Sequence, residues 1–180
     1  MNFKRNIKRL KEFKKKIEMY KHLEETNVKP ILDWVKTRQK KVKSKSKIIN
    51  LNKCKDWYLD KNLNLQHKSG QFFKVKAVET KGAEGREVKS WTQPILTQKH
   101  GGVLAFISRQ TKKFGTQFLI EARIEPGDDS ILKISPSFQA TQSNMNRAHG
   151  GKRPKFYDIV IQQKGAKLIY YTVHNEEGAR

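Results

Sequence analysis

The stretch Ser135-Pro136-Ser137-Phe138-Gln139-Ala140-Thr141-Gln142-Ser143-Asn144 decides how this chain is read. Glu125-Pro126-Gly127 precedes it, and Arg147, His149, Gly150 and Gly151 follow. Hydroxyl, amide, guanidinium and imidazole groups crowd together there between short apolar runs, with proline and glycine punctuating the backbone. A solvated loop is also polar and rich in turn formers. A pocket for a sugar or a nucleotide, however, demands this density of directional donors and acceptors. The stretch therefore reads as a polar loop lining such a pocket. Just upstream, Phe118, Ile120, Ala122 and Ile124 alternate with Leu119, Glu121, Arg123 and Glu125, which predicts one strand over Gln117–Glu125 with its charged side chains on a single face. Pro126-Gly127 ends that strand and leaves Glu125 at its terminus, beside the turn.

Further blocks stand in order around this centre. They are Asp33-Trp34, Trp57, His67-Lys68-Ser69-Gly70-Gln71-Phe72-Phe73-Lys74-Val75, Trp91-Thr92-Gln93-Pro94-Ile95 with Gln98, and Glu176-Glu177-Gly178-Ala179-Arg180. Together with Glu125-Pro126-Gly127 and Ser135–Asn144 they resemble the motif series of the NDP-hexose 2,3-dehydratases, which make 2-deoxysugars from nucleotide-linked 4-keto sugars. The resemblance runs from about Ile31 to the last residue. It departs from the family pattern at Gln71, Asp128 and Asn175, where Arg, Asn and Ser are usual. Family proteins generally carry two tandem copies of the unit and this chain supplies one, which implies either a single unit that must pair or a truncated reading frame.

A chain of 180 residues is long enough to bury a core, and 36% hydrophobic content with nine Phe supports a globular centre. No apolar run approaches the roughly 18 residues of a membrane span, and the N-terminus lacks the apolar segment and cleavage site of a signal peptide. The one cysteine, Cys54, excludes an intrachain disulfide and a cysteine-based zinc site. A cytoplasmic setting with no membrane partner follows. The formal charge is +22; residues 1–50 hold 17 Lys/Arg against 5 Asp/Glu, and the remainder holds 22 against 12. Lysine clustering is an electrostatic footprint for phosphate. Lys-dominated runs without a nucleic-acid motif are nevertheless commonly solvated, so nucleic acid is disfavoured as a partner.

Phe3, Ile7, Leu10, Phe13, Ile17 and Tyr20 recur at helical spacing and predict an N-terminal helix. Pro30 opens a second helix carrying Ile31, Trp34 and Val35, and Lys36–Lys47 reads as a helix end or linker. Beyond Ile48 the texture is one of short strands: Phe73–Ala77, Val103–Ile107, Ile131–Ile134 and Leu168–Val173, with Tyr157–Gln163 as a short helix or strand. The division expected is a basic helical extension and linker over 1–47, followed by one unit over 48–180. The fold class is α+β, and the resemblance implies a Nudix-like mixed sheet of short strands with few helices. The Glu-rich helix of a true Nudix hydrolase is absent.

The chemistry that the resemblance implies is elimination of water across C2–C3 of a dTDP-4-keto-6-deoxyhexose to a 3,4-diketo-2,6-dideoxy sugar nucleotide. It needs no hydride and therefore no nicotinamide; neither cofactor nor metal is expected, and the five scattered His show no ligand spacing. The reaction requires a base near C3, donors toward the C4 oxygen and an acid for the departing hydroxyl. Glu125 and His149 are the acid/base candidates, with Arg123 or His67 as oxyanion donors. Arg147, Lys152 and Arg153 suit a diphosphate. Gln93, Gln98, Gln139, Thr141, Ser143 and Asn144 suit sugar hydroxyls or base edges, and Trp91 or Tyr157 could stack on the base. Homo-oligomerisation or pairing with a second unit is expected. Two other readings stay open: an inactive nucleotide-sugar-binding unit that needs a partner, and a basic RNA-associated module.

Overall fold

The computed structural model describes residues 3–18, 28–125, 127 and 131–173. Pro126, Asp128, Tyr20 and the Glu176–Arg180 block lie outside the described residues, as do the side chains of Phe3 and Ile17. Short strands alternate with few helices, and every strand pair for which a register is given is antiparallel. The class is α+β. No described helix is long and apolar enough to cross a membrane. The chain divides into two compact units, the first drawn from 1–47, 103–140 and 153–173, the second chiefly from 48–102 and 141–152.

The second unit is built on a four-stranded antiparallel meander in the order β1-β2-β3-β4, with β1 Trp57–Leu59, β2 Leu65–His67, β3 Lys74–Thr80 and β4 Trp91–Thr97. The β3–β4 ladder is the longest, pairing Lys74 with Thr97 through to Thr80 with Trp91. Pro94, opposite Ala77, is tolerated because β4 is outermost and a proline has no N–H to give a central ladder. At the β1–β2 turn, Asp60 Oδ1 accepts the backbone N–H groups of Asn62 (2.9 Å) and Asn64 (3.0 Å). The Asn64 bond, helped by its side-chain amide, holds the Asp60 carboxyl below its ordinary range. A 3-10 turn, Leu51–Lys53, leads into β1, and the helical turn α3, Gln142–Met145, follows much later in the chain.

The first unit carries three two-stranded ladders: β6 Ser108–Thr111 with β7 Gly115–Phe118, β8 Ile120–Arg123 with β9 Lys133–Pro136, and β5 Gly102–Ala105 with β10 Phe138–Thr141. Its helices are α1 Phe3–Glu18, α2 Lys29–Gln39 and the single turn α4 Tyr157–Val160. Pro30 sits in the first turn of α2, where its missing N–H would be unpaired anyway. Phe13 of α1 meets Phe118 edge to face at 6.2 Å, and Arg9 Nη1 donates to Leu168 O at 2.9 Å.

Three expectations are corrected. The strand over Gln117–Glu125 is two strands, because Leu119 leaves the ladder. Its N–H donates to Ile107 O (2.8 Å) and its carbonyl accepts from Ser137 Oγ, so β7 and β8 take different partners. Leu168–Val173 forms no strand; its backbone is engaged by Arg9 instead. The polar stretch Ser135–Asn144 is not a loop but the end of β9, then β10, then the start of α3.

That stretch is also the most buried part of the described chain. Among the described residues the buried apolar side chains are Phe138, Ala140 and Met145, and the buried polar ones are Ser137 and Ser143. Ser137, only 1% exposed, accepts the Ile107 N–H at 2.9 Å and donates to Leu119 O. One hydroxyl thus joins the link before β6, the break between β7 and β8, and the link between β9 and β10. Removing it strands a donor and an acceptor that are shielded from water. Ser137→Ala is expected to cost about 1–3 kcal/mol, seen as a lower urea midpoint at unchanged slope; an unchanged midpoint would mean that water replaces the hydroxyl.

Candidate functional site

Each unit gathers part of the residues that the sequence singled out. In the first unit, the spacing of Glu121, Arg123 and Glu125 does put their charges together, even though the longer strand breaks. Arg123 Nη2 lies 3.3 Å from Glu121 Oε2, and Nη1 lies 3.7 Å from Glu125 Oε1 while donating to Gln139 O at 3.2 Å. The guanidinium is half-buried and engaged on all of these contacts. It orients Glu125 and locks β8 onto the backbone of β10, which leaves it little capacity to donate to a substrate oxyanion.

Glu125 differs from its neighbour. Its side chain is 43% exposed overall, yet Oε1 is shielded from solvent and accepts no hydrogen bond among the described residues; its contact with Arg123 is an ion pair, longer than a hydrogen bond. Glu121, by contrast, is shared between Arg123 and Lys155, the latter at 3.6 Å. Of the two carboxylates, Glu125 has the longer contact with Arg123, and Glu121 is the one shared with a second cation.

In the second unit, the first turn of α3 is capped by Thr141, whose Oγ1 accepts the Asn144 N–H (3.4 Å) and lies 2.8 Å from Ser143 Oγ. These hydroxyls build the turn, and Ser143 is only 6% exposed. Arg147 leaves α3 with a left-handed backbone (φ 57°) and stands exposed, as does Lys152. Trp91 and Gln93 alternate on one face of β4, with Gln98 exposed just past its end.

Two histidines in this unit are held in the same way. The backbone N–H of Gly151 donates to His149 Nδ1 at 2.9 Å. The Ser69 N–H donates to His67 Nδ1 at 3.2 Å, with Ser69 Oγ 2.9 Å from the same nitrogen. In each neutral ring the proton is therefore assigned to Nε2, which is left as a donor. For His67 this suits a role as oxyanion donor, and its ring is steadied edge-on by Trp57 (5.5 Å) and Phe72 (4.6 Å). For His149 it argues against a role as base, because the lone-pair nitrogen is occupied.

Arg153 stacks over Tyr157 at 4.9 Å, so the two groups read as diphosphate and base ligands engage each other. Among the described residues no three His, Cys, Asp or Glu side chains approach closely enough to hold a metal. The residue that reading the sequence missed is Ser137. A serine between Pro and Phe carries no local mark of burial, and its role depends on partners 18 and 30 residues away.

Comparison with known proteins gives a consistent set of relatives. Residues 28–180 match the family profile described as NDP-hexose 2,3-dehydratase. The chain is 29% identical over 151 residues to a dTDP-4-dehydro-6-deoxy-alpha-D-glucopyranose 2,3-dehydratase of Streptomyces violaceoruber, covering 83% of this chain and 33% of that protein. It is 30% identical over 127 residues to the protein of the same name from Amycolatopsis orientalis (68% and 27%). To that of Saccharopolyspora spinosa it is 28% identical over 147 residues (81% and 30%). The chain thus spans about a third of the length of the curated relatives it matches.

The His149 geometry depends on the residue beside it. A Cβ built on Gly151 would fall 2.7 Å from both Cε1 and Nδ1 of His149. Gly151→Ala is expected to expel the ring and break the bond to Nδ1. Imidazole 15N spectra should show one Nε2–H tautomer in the wild type and a tautomer mixture in the variant. Identical spectra would show that this turn does not hold the ring.

Proposed function

The chain belongs to the NDP-hexose 2,3-dehydratase family, and we propose that it is a hydro-lyase unit acting on a dTDP-linked 4-keto-6-deoxyhexose in deoxysugar biosynthesis. The observation that carries the mechanism is the shielded, unsatisfied Oε1 of Glu125, oriented by Arg123. Glu125 takes the C3 proton, which the adjacent C4 ketone acidifies. The electron pair moves into the C3–C4 bond and charge develops on the C4 oxygen, which a hydrogen-bond donor must stabilise. The C2–O bond then breaks and the hydroxyl leaves as water with a proton from a general acid. The remaining C2–C3 enol becomes the 3,4-diketone, so the net change is loss of one water.

The amides of Gln93, Gln98, Gln139 and Asn144, with the aromatic face of Trp91, are carried into this reading as substrate contacts. Thr141 and Ser143 act through the α3 turn that they build, which holds Asn144 and leads to Arg147. The reading further includes a Nudix-like fold for the unit, supported at the level of class by the small antiparallel sheets, and a cytoplasmic location. Residues 1–47 are read as a basic extension leading into the unit.

Association with a second unit, either a copy of this chain or a separate one, belongs to the same proposal. Its support is the exposure of Leu104, Phe106, Phe114 and Phe118 in the first unit, against a handful of fully buried side chains. Self-association is expected to give a light-scattering mass near twice the 21.0 kDa of the chain, and Phe106→Lys should move it toward monomer. A monomeric wild type at micromolar concentration would leave only a separate partner as the complement.

Glu125→Gln keeps the size of the side chain but cannot accept the C3 proton. Turnover should fall by about 10²–10⁴ with dTDP affinity nearly unchanged, placing the loss in the chemical step. The measurements are deuterium incorporation at C3 and single-turnover diketone formation. Wild-type exchange in the variant would transfer the role of base to another residue.

A further inference from the structure

The first unit contains a cavity of about 410 Å³ that involves none of the residues discussed above as catalytic. Its apolar lining comes from Val42, Leu119, Ile120, Ala122 and Leu132. Its rim is cationic and aromatic. Trp34, Arg38 and Lys41 follow one another at steps of four and three residues, which places them on one face as α2 runs out. Lys155 and Phe156 complete the rim from the turn that opens α4. With Glu121 as the one lining carboxylate, three cations against one anion leave a surplus of two positive charges.

Two features show that the wall is built rather than incidental. Gln39 Oε1 accepts the Leu132 N–H at 2.7 Å across 93 residues of sequence, which fastens the end of α2 to the segment entering β9. Phe156 is held at φ 61°, ψ 13°, a left-handed conformation that is a genuine outlier for a bulky aromatic residue. Such strain persists only where the surroundings impose it, and it gathers at ligand sites. Here it accompanies a ring that lines the cavity. The Arg38 guanidinium lies 5.9 Å over the Trp34 ring, so the cation and the aromatic face are presented together.

We propose that this cavity takes the nucleoside diphosphate part of the substrate, with the base against Trp34 and the apolar lining, and the diphosphate against Arg38, Lys41 and Lys155. The inference rests on the dehydratase reading for its ligand class and departs from it in location. The volume lies within the range of small-molecule sites, which join an apolar lining to a few placed polar groups. The surplus of two charges matches a diphosphate. Arg147 and Lys152, the cations that the motif pattern favoured, stand exposed in the second unit. Arg38, Lys41 and Lys155 are exposed as well, and what sets them apart is the apolar and aromatic lining beside them.

The test is calorimetric titration of the full chain with dTDP, thymidine and inorganic pyrophosphate, alongside Trp34→Leu, the Arg38→Gln/Lys41→Gln pair, Lys41→Arg and Arg147→Ala. The urea midpoint of each variant serves as the check on folding. Expected are dTDP binding by the wild type, a loss of about tenfold or more in the double glutamine variant, retention in Lys41→Arg, and weaker binding of either fragment alone. Quenching of tryptophan fluorescence by dTDP should disappear in Trp34→Leu. Unchanged affinity in the double variant with loss in Arg147→Ala would overturn this location and leave the dehydratase reading intact. No dTDP binding by the wild type would overturn it as well, and diketone formation from the 4-keto sugar nucleotide then decides separately whether the dehydratase reading stands. Single-stranded RNA that competes at lower concentration than dTDP, and loses affinity in the same variants, would reassign the rim to a polyanion.

Discussion

The hydroxyl of Ser137 is the point on which the first unit turns. A β-structure assembled from two-stranded ladders has many ends and few shared hydrogen bonds, so something must join the ladders. Ser137 does this by accepting from Ile107 and donating to Leu119, at the place where β7 stops and β8 begins. Without that pair of bonds, Leu119 could continue the β7 ladder and β8 would lose its register with β9. The Arg123 network and the Glu125 carboxylate are set by that register. The chemistry proposed for Glu125 thus depends on a serine whose hydroxyl bonds to backbone groups.

What could be read from sequence followed the range of the interactions involved. The helix opened by Pro30 and the alternation around Phe73–Ala77 depend on neighbours a few residues apart, and both stand in the structure as α2 and β3. The clustering of Glu121, Arg123 and Glu125 was legible for the same reason, since side chains two apart share a face. The break at Leu119 was not legible, because alternation continues through it and the cause lies in Ile107 and Ser137. Nor was the burial of Ser135–Asn144. Polarity there suggested a loop lining a pocket, whereas Ser137 and Ser143 are buried polar groups satisfied by nearby bonds.

The same ten residues mark a change of unit. Phe138 and Ala140 belong to the first unit, while Ser143, with Met145 just beyond the ten, belongs to the second. A motif that reads as one element of sequence therefore supplies two cores. This gives a structural reason for the density of small and hydroxyl side chains at 135–144. They must fill space closely, end a strand and start a helical turn within ten positions, and Thr141 does the last of these by capping α3.

Pro94 has a consequence beyond its own strand. Open sheets offer their borders as templates for another chain, and stacking strand on strand is the commonest route from a monomer to an unwanted polymer. In the β1-β2-β3-β4 meander one border is β1, only three residues long, and the other is β4, with an imino acid at its midpoint. Neither offers an uninterrupted row of donors and acceptors. The meander is therefore poorly suited to growing by strand addition, and any association of this unit must run through side chains on its broad faces.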